Sequence, residues 1–406
     1  MSTRPVDVLI LDADENQAVA AVRDLGRAGH HVSVAESFRW PKASFSRFSR
    51  TCFQYRSPRT DRRGFCDDLL AFQSRQPQRA VFLVPMTETT TLVLSEERER
   101  LEAAGFLLVL PDHAMLLAAF DKSVSGRIAA ERGVDVPRSV TLTDGHVDEI
   151  DEFPLPAVVK ALASNVSVDG RQVAAPRPQY AQSHARTKAV VRELAASGFP
   201  SIVQEFIEGV GVGFFALYDR GVLVKAFAHE RIRDVHPTGS GSSYRKSISL
   251  DEDLRMAGTA ILDTLRWHGA AMVEFKRTST GRLVFLEVNG RLWGSLSLAI
   301  AAGAHFPQWL CSLAVGEQLD SRSEYLPNVH SRWILGDVRH VLAVLKGKPI
   351  GFPGRFPGRV ETLSSLAAGL RTDRFDNFER VDPFPELGDW ISALRKVLRE
   401  FASRKP

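Results

Sequence analysis

The stretch "AMVEFKRTSTGRLVFLEVNGRLWGSL", residues 271–296, sets two glutamates into what reads as a buried β-hairpin. Ala271 to Phe275 is short and apolar, and "KRTSTGR" (276–282) is a polar turn holding Gly281. Leu283 to Val288 is rich in Val, Leu and Phe, the composition of a strand. Side chains alternate along a strand, so Leu283, Phe285, Glu287 and Asn289 are expected on one face. A turn centred on Thr280-Gly281 sets Glu274 directly opposite Glu287, with Cβ atoms about 5 Å apart. At an effective dielectric of about 20, carboxylates at that distance repel by about 3 kcal/mol, against a typical stability margin of about 5–15 kcal/mol. The apolar flanks argue against both side chains simply turning to water. A cation between them removes the conflict. Two carboxylates plus the Asn289 amide oxygen suit Mg²⁺, which takes few protein ligands and fills its shell with phosphate and water oxygens.

The bulk composition narrows the class. A chain of 406 residues is expected to form two or three domains. Its 44% hydrophobic and 25% charged content is ordinary for a globular protein. A net charge of +4 with dispersed Lys and Arg favours small anionic molecules and does not argue for nucleic acid. Cys52, Cys66 and Cys311 are too widely spaced for a disulfide framework or a zinc knuckle. With no signal peptide and no membrane-length apolar run, the expectation is a soluble, cytoplasmic protein without a membrane partner.

Upstream, strands and helices alternate. "VDVLIL" (6–11) is a strand, residues 15–28 carry Ala18, Val19, Val22 and Leu25 at helical spacing, and "HHVSVAE" begins a second strand. "AVFLVP" and "FLLVLP" bracket a charged helix around "LSEERERLEAAG", which gives a doubly wound α/β pattern. The loop after the first strand, "DADENQ", lacks G-x-G-x-x-G, so a nicotinamide or flavin dinucleotide is not expected. From 157 to 290 strands dominate, suggesting a more antiparallel unit. Beyond 316 the signals weaken to a Pro/Gly-rich loop, "GKPIGFPGRFPGR" (347–359), and amphipathic helical pieces.

Magnesium on the hairpin implies phosphates, and phosphates need cations. Lys122 opens the helix "DKSVSGRIAAERG", Lys160 ends "AVVK", and Arg291 continues the polar row of Glu287 and Asn289 with a fork suited to phosphate or carboxylate. In "IVQEFIEG", the segment Glu205-Phe206-Ile207 can offer a purine the Ile207 N–H and the Glu205 carbonyl. On the strand 223–233, Lys225, His229, Arg231 and Arg233 share one face, a candidate substrate surface or a solvated one. The loop "HPTGSGSS" (236–243) reads as a lid over a bound acid or as a turn. Glu88, after a strand of the α/β unit, is a candidate contact for an amine. His30, His31 and "FRWPKASFSRF" (38–48) read as packing or surface.

Taken in order, the "DK" helix, "VVK", "VQEFIEG", "VEF" and "LEVNGR" behind an α/β unit resemble the ATP-grasp superfamily over roughly residues 1–315. "VGFFALYDRG", "FAHERIR", "WHGAAMVEF" and "EVNGRLWGSLSLAIAAG" resemble its bacterial carboxylate–amine ligase-like, or carbamoyl-phosphate-synthase-like, branch. The resemblance implies an α/β and α+β chain. A Rossmann-like pre-domain would span 1–112, and an ATP-grasp domain 113–315, with two α+β subdomains sandwiching ATP and a lid at about 150–205. A partly helical C-terminal extension would span 316–406. It implies that Lys122 and Lys160 hold ATP phosphates, Lys160 also acting in catalysis. Glu205, Phe206 and Ile207 would contact adenine, with Glu208 the acid nearest the ribose. Glu274, Glu287 and Asn289 would hold Mg²⁺, two ions with Mn²⁺ as an alternative, and Arg291 would stabilise an acyl phosphate or its tetrahedral successor. Two departures stand out: "ALASNVSVDGR" has only Gly170 where many relatives have a glycine-rich loop, and "EGVGVG" offers only Glu208 as the ribose acid.

The function expected is an ADP-forming ligase that joins a small-molecule carboxylate to an amine, with a homodimer as one assembly. A small-molecule kinase on the same scaffold is the first alternative, and a non-catalytic ATP-binding protein the second.

Overall fold

The computed structural model describes residues 4–76, 78–143, 147–162, 165–168, 171–320, 322, 324–368 and 374–403. The N-terminal sheet is parallel and runs in the order Cys52–Gln54, His31–Glu36, Asp7–Ile10, Val81–Val84, Phe106–Leu107. Its inner strands read as unbroken apolar runs because both faces are covered. The strand Cys52–Gln54 was not foreseen, and only two residues of "FLLVLP" pair. Strand order reverses beside Asp7–Ile10, so the loops after that strand and after Val81–Val84 part at their carboxyl ends, where open α/β sheets bind ligands. Asp12 ties those loops together: its carboxylate accepts Met86 N at 3.0 Å and Thr87 N at 2.9 Å.

The central sheet has seven strands, in the order Leu283–Asn289, Gly269–Arg277, Val210–Asp219, Val222–Asp234, Ser242–Ser247, His330–Arg332, Arg374–Phe375. Alternation along "FFALY" sends Phe215 and Leu217 into a core with Ala18, Val22 and Leu25 of the helix Asn16–Arg27 and with Trp293 and Phe306. Phe214, Ala216 and Tyr218 point the other way, onto Ile261, Leu262 and Trp267. The sheet is thus buried on both sides, and the N-terminal helix is part of its packing.

A four-stranded antiparallel sheet, Gln179–Ala181, Ala157–Ala161, Ser201–Glu205, Ser139–Leu142, lies under the helix His184–Ala196. Val159 and Val203 pack beneath Val190, Val191 and Leu194. Lys160, out of phase by one residue, faces away from that helix. Gly170 lies outside the described residues. Among the described residues no helix is long and apolar enough to cross a membrane.

The chain beyond 316 is helical over Ile334–Lys346, Arg359–Ala368 and Phe384–Ser403. It also gives the central sheet its last two strands, of three and two residues, too short to leave a period-2 pattern. Buried charges bind it to the rest. Asp376 pairs with Arg245, and its other oxygen accepts Ser297 Oγ and Ser331 Oγ, both at 2.6 Å. Arg23, in the N-terminal helix, donates to Asp382 Oδ2 at 2.8 Å and to the Asn377 carbonyl at 2.7 Å. Removing one partner of such a pair leaves an uncompensated buried charge. Asp376→Ala strands Arg245, which is 1% exposed, and is expected to cost about 3–5 kcal/mol in urea denaturation. A loss below about 1 kcal/mol would mean that the contact does not hold the C-terminal region.

Candidate active site

In the hairpin, Glu274 faces Glu287 and Met272 faces Asn289, as the turn placement predicts. The register then shifts: Phe275 faces Phe285, and Leu286 is left as the extra residue of a bulge. This corrects the single-face expectation for the second strand. Leu283 and Phe285 pack with Phe275 and Val288 in the core around Trp267, whereas Glu287 and Asn289 lie on the opposite face. The bulge lets one short strand bury its aromatic end and still present its carboxylate beside Glu274.

Cations close in from three elements. Arg231 Nη2 donates to Glu274 Oε2 at 2.5 Å and its Nη1 to the Ser240 carbonyl at 3.0 Å. Burial pushes the Glu274 carboxyl above its ordinary range; Arg231 opposes the shift and Glu287 adds to it. Burial works against ionisation of Glu287 too. There Lys122, then Lys160, the Asn289 amide and Arg231 outweigh it and hold the carboxyl below its ordinary range. Burial lowers the Lys160 pKa, with Glu287 opposing and Lys122 reinforcing. Lys122 opens the helix Lys122–Glu131, capped by Asp121, whose carboxylate accepts Ser123 N at 2.8 Å. Two members of this cluster escaped the sequence reading: Lys276, which donates to the Gly209 carbonyl at 2.9 Å, and Asp234, 3.9 Å from Arg231.

The donor set can be weighed against a divalent ion. Asn289 Nδ2 donates to Glu287 Oε1 at 3.1 Å, and Arg291 Nη2 lies 3.4 Å from Asn289 Oδ1. Among the described residues no group of three or more His, Cys, Asp or Glu gathers as a metal cage. Two carboxylates and an amide, all hard oxygen donors, fit an ion that completes its shell with substrate and water oxygens, as Mg²⁺ does.

At the candidate adenine segment, Glu205 N and Phe206 N donate to the Arg138 and Pro156 carbonyls, at 2.9 and 3.0 Å, while the Ile207 N–H makes no bond among the described residues. The Phe206 ring lies 5.8 Å from Tyr180 and 6.0 Å from Phe352. The Pro/Gly-rich loop 347–359 therefore packs onto this segment. Glu208 follows it, exposed.

No protein-family profile and no curated protein sequence matches the chain. Solved structures do. The ADP complex of an N5-carboxyaminoimidazole ribonucleotide synthetase matches with TM-score 0.64 and 15% identity, over 91% of this chain and 100% of that one. The L-amino acid ligase of Bacillus licheniformis matches with TM-score 0.61 and 15% identity, over 81% and 79%. The biotin carboxylase domain of Hydrogenobacter thermophilus 2-oxoglutarate carboxylase, solved with MgADP and bicarbonate, matches with TM-score 0.61 and 14% identity, over 80% and 74%.

This is an ATP-grasp fold.

Within it, a cavity of about 330 Å³ reaches the glutamate pair through Arg231. It opens among the first loop of the N-terminal sheet, the central sheet, and the helix Phe384–Ser403. Arg231 lines it while holding Glu274, and so belongs to both. The residues expected on one face of the strand Val222–Asp234 disperse. Lys225 donates to the Arg322 carbonyl, and His229 reaches Ser295 Oγ at 3.0 Å, stacked on Phe215. After a register shift past Arg231, Arg233 pairs with Asp337 at 2.7 Å. His229 and Arg231 thus line the cavity, whereas Arg233 and Glu88 do not; Glu88 sits in the first turn of the helix Glu88–Glu96. Gly241 and Ser242, from the loop 236–243, also line it. So does Lys42, from the segment read as packing or surface; it is 4% exposed and bonds Asp389 Oδ1 at 2.6 Å.

Asp14, on the cavity wall, takes support from behind: its N–H donates to Glu36 Oε2 at 3.3 Å. Burial, and then the neighbouring Asp12, raise the Glu36 carboxyl from the ordinary 4.5 to about 7. The folded form keeps this proton at a pH where the unfolded chain has released it. Stability from this group therefore stands below pH 4.5, declines up to about 7, and is flat above. Glu36→Gln is expected to remove that decline and to gain about 3 kcal/mol over the wild type at pH 8. Denaturant titrations from pH 5 to 8 check it; a wild-type-minus-variant difference that does not change with pH would refute the shift.

Proposed function

We propose that the chain is an ATP- and Mg²⁺-dependent ligase that joins a small-molecule carboxylate to an amine through an acyl phosphate, releasing ADP and phosphate. The observation that carries this reading is the pair Glu274 and Glu287, ringed by Lys122, Lys160 and Arg231, with Arg231 shared by an adjoining cavity. The structural similarity to an L-amino acid ligase and to an N5-carboxyaminoimidazole ribonucleotide synthetase supports it.

Glu205, Phe206 and Ile207 seat the adenine, Glu208 serves the ribose, and Lys122 and Lys160 hold the phosphates. Bound at Glu274, Glu287 and Asn289, Mg²⁺ would neutralise charge on the transferring phosphoryl group. The lysines bring cationic charge to the same place. A carboxylate oxygen attacks the γ-phosphorus, the bond to the β-phosphate oxygen breaks, and ADP leaves. The amine nitrogen then attacks the acyl carbon, the C–O bond to phosphate breaks, and phosphate departs as the amine loses a proton. Arg291 stabilises the oxyanion formed in between.

Glu287→Gln is expected to lower ATP turnover by about 100-fold or more, while leaving the chain folded at a lower melting temperature, since Lys122 and Lys160 lose the carboxylate that they hold ionised. Wild-type protein given ATP, Mg²⁺, a pool of amino and hydroxy acids and hydroxylamine is expected to yield hydroxamates with ADP and phosphate. A stable phosphorylated product without hydroxamate would replace the ligase with a kinase. Wild-type turnover in the Glu287→Gln variant would remove the proposed metal site.

A further inference from the structure

The polar groups of the cavity fall into two sets. One set is spent on the protein itself. Lys42 bonds Asp389, Ser392 bonds Asp14, and Lys396 lies 3.6 Å from Asp14, so the helix Phe384–Ser403 is fastened to the first loop of the N-terminal sheet. The other set is uncommitted. Arg339 lies with its guanidinium 5.2 Å from the centre of the Trp333 ring, and neither it nor the Glu15 carboxylate makes a hydrogen bond or ion pair among the described residues. Deeper in, His229 Nδ1 and Trp293 Nε1 have no hydrogen-bond partner among the described residues, though each residue is 1% exposed. A buried polar atom without a partner costs about 1–3 kcal/mol, so two of them on one cavity wall point to a ligand that satisfies them.

We propose that this cavity takes an α-amino acid whose side chain carries a second carboxylate, with the chain beyond residue 330 forming its specificity wall. The inference rests on the ligase reading, whose carboxylate substrate it names. Arg339 binds the α-carboxylate and Glu15 the ammonium group. The side-chain carboxylate reaches Trp293 Nε1 and Arg231, next to the glutamate pair, where it can be phosphorylated. Size permits it: about 330 Å³ is the share of roughly eleven waters, room for the roughly ten bonded non-hydrogen atoms of an acidic amino acid together with some water.

The test is calorimetric titration of the full chain with a non-hydrolysable ATP analogue and Mg²⁺ present, so that turnover is not needed. The probes are L-glutamate, L-aspartate, L-alanine, glutarate and putrescine. L-glutamate or L-aspartate is expected to bind at least about 10-fold more tightly than the other three. Glu15→Gln and Arg339→Met are each expected to weaken that binding by about 10-fold or more, without changing the melting temperature or the affinity for the ATP analogue. Equal binding of glutarate, no binding of either acidic amino acid, or wild-type affinity in both variants would overturn the proposal. If the ATP analogue binds normally in those cases, the ligase reading survives. If acidic amino acids bind as expected but the analogue does not bind at all, the ligase reading falls and the assigned cavity stands.

Discussion

Two negative charges that face each other across a hairpin, in a sheet covered on both sides, organise much of this molecule. Glu274 and Glu287 cannot both turn to water, so the fold brings cations to them from separate places: Lys122 from a helix start, Lys160 from the smaller sheet, and Arg231 from a strand two removed. The strand that lies between must then leave room. A Cβ on Gly211 would lie 2.8 Å from Arg231 Cδ, and one on Gly213 2.5 Å from the Phe215 ring. The glycines of "EGVGVG", which offered so little for a ribose contact, let an arginine and an aromatic ring lie flat against the sheet.

Arg231 couples two environments. Its guanidinium spans Glu274 and the Ser240 carbonyl, and the loop carrying Ser240 touches the smaller sheet through the Tyr180 hydroxyl on the Thr238 carbonyl. A displacement of that loop changes the charge balance at the glutamates, and a ligand that draws Arg231 into the cavity does the same from the other side. The arginine is therefore a natural point at which occupancy of one compartment is felt in the other.

Much of this was legible because it follows from local rules. The opposition of Glu274 and Glu287 and the covered sheets come from alternation, turn composition and apolar runs, while the order of the motifs was legible through the resemblance to the ATP-grasp superfamily. The rest depends on contacts that local rules do not carry. The bulge at Leu286 has no glycine to mark it, and it reverses the face of Phe285 relative to Glu287. Lys42 sits among aromatics in an irregular segment, and nothing nearby in sequence says that its partner is Asp389. Asp389, Ser392 and Lys396 share one face of a helix by their spacing. That was a readable signal of a polar stripe, but its target, Asp14, is 378 residues from Ser392.

That separation bears on how the protein comes into being. The helix Asn16–Arg27 belongs to the core of the central sheet, yet its Arg23 finds Asp382 only across 359 residues of chain. Contacts of such range close late, because the entropy of the intervening loop is lost before they repay it. During synthesis the α/β unit and much of the central sheet exist first, with Arg245 and Arg23 still lacking their carboxylates and one wall of the cavity missing. On that order the hairpin glutamates are in place while the compartment beside them is still open to solvent, and the walled cavity is the last feature to form.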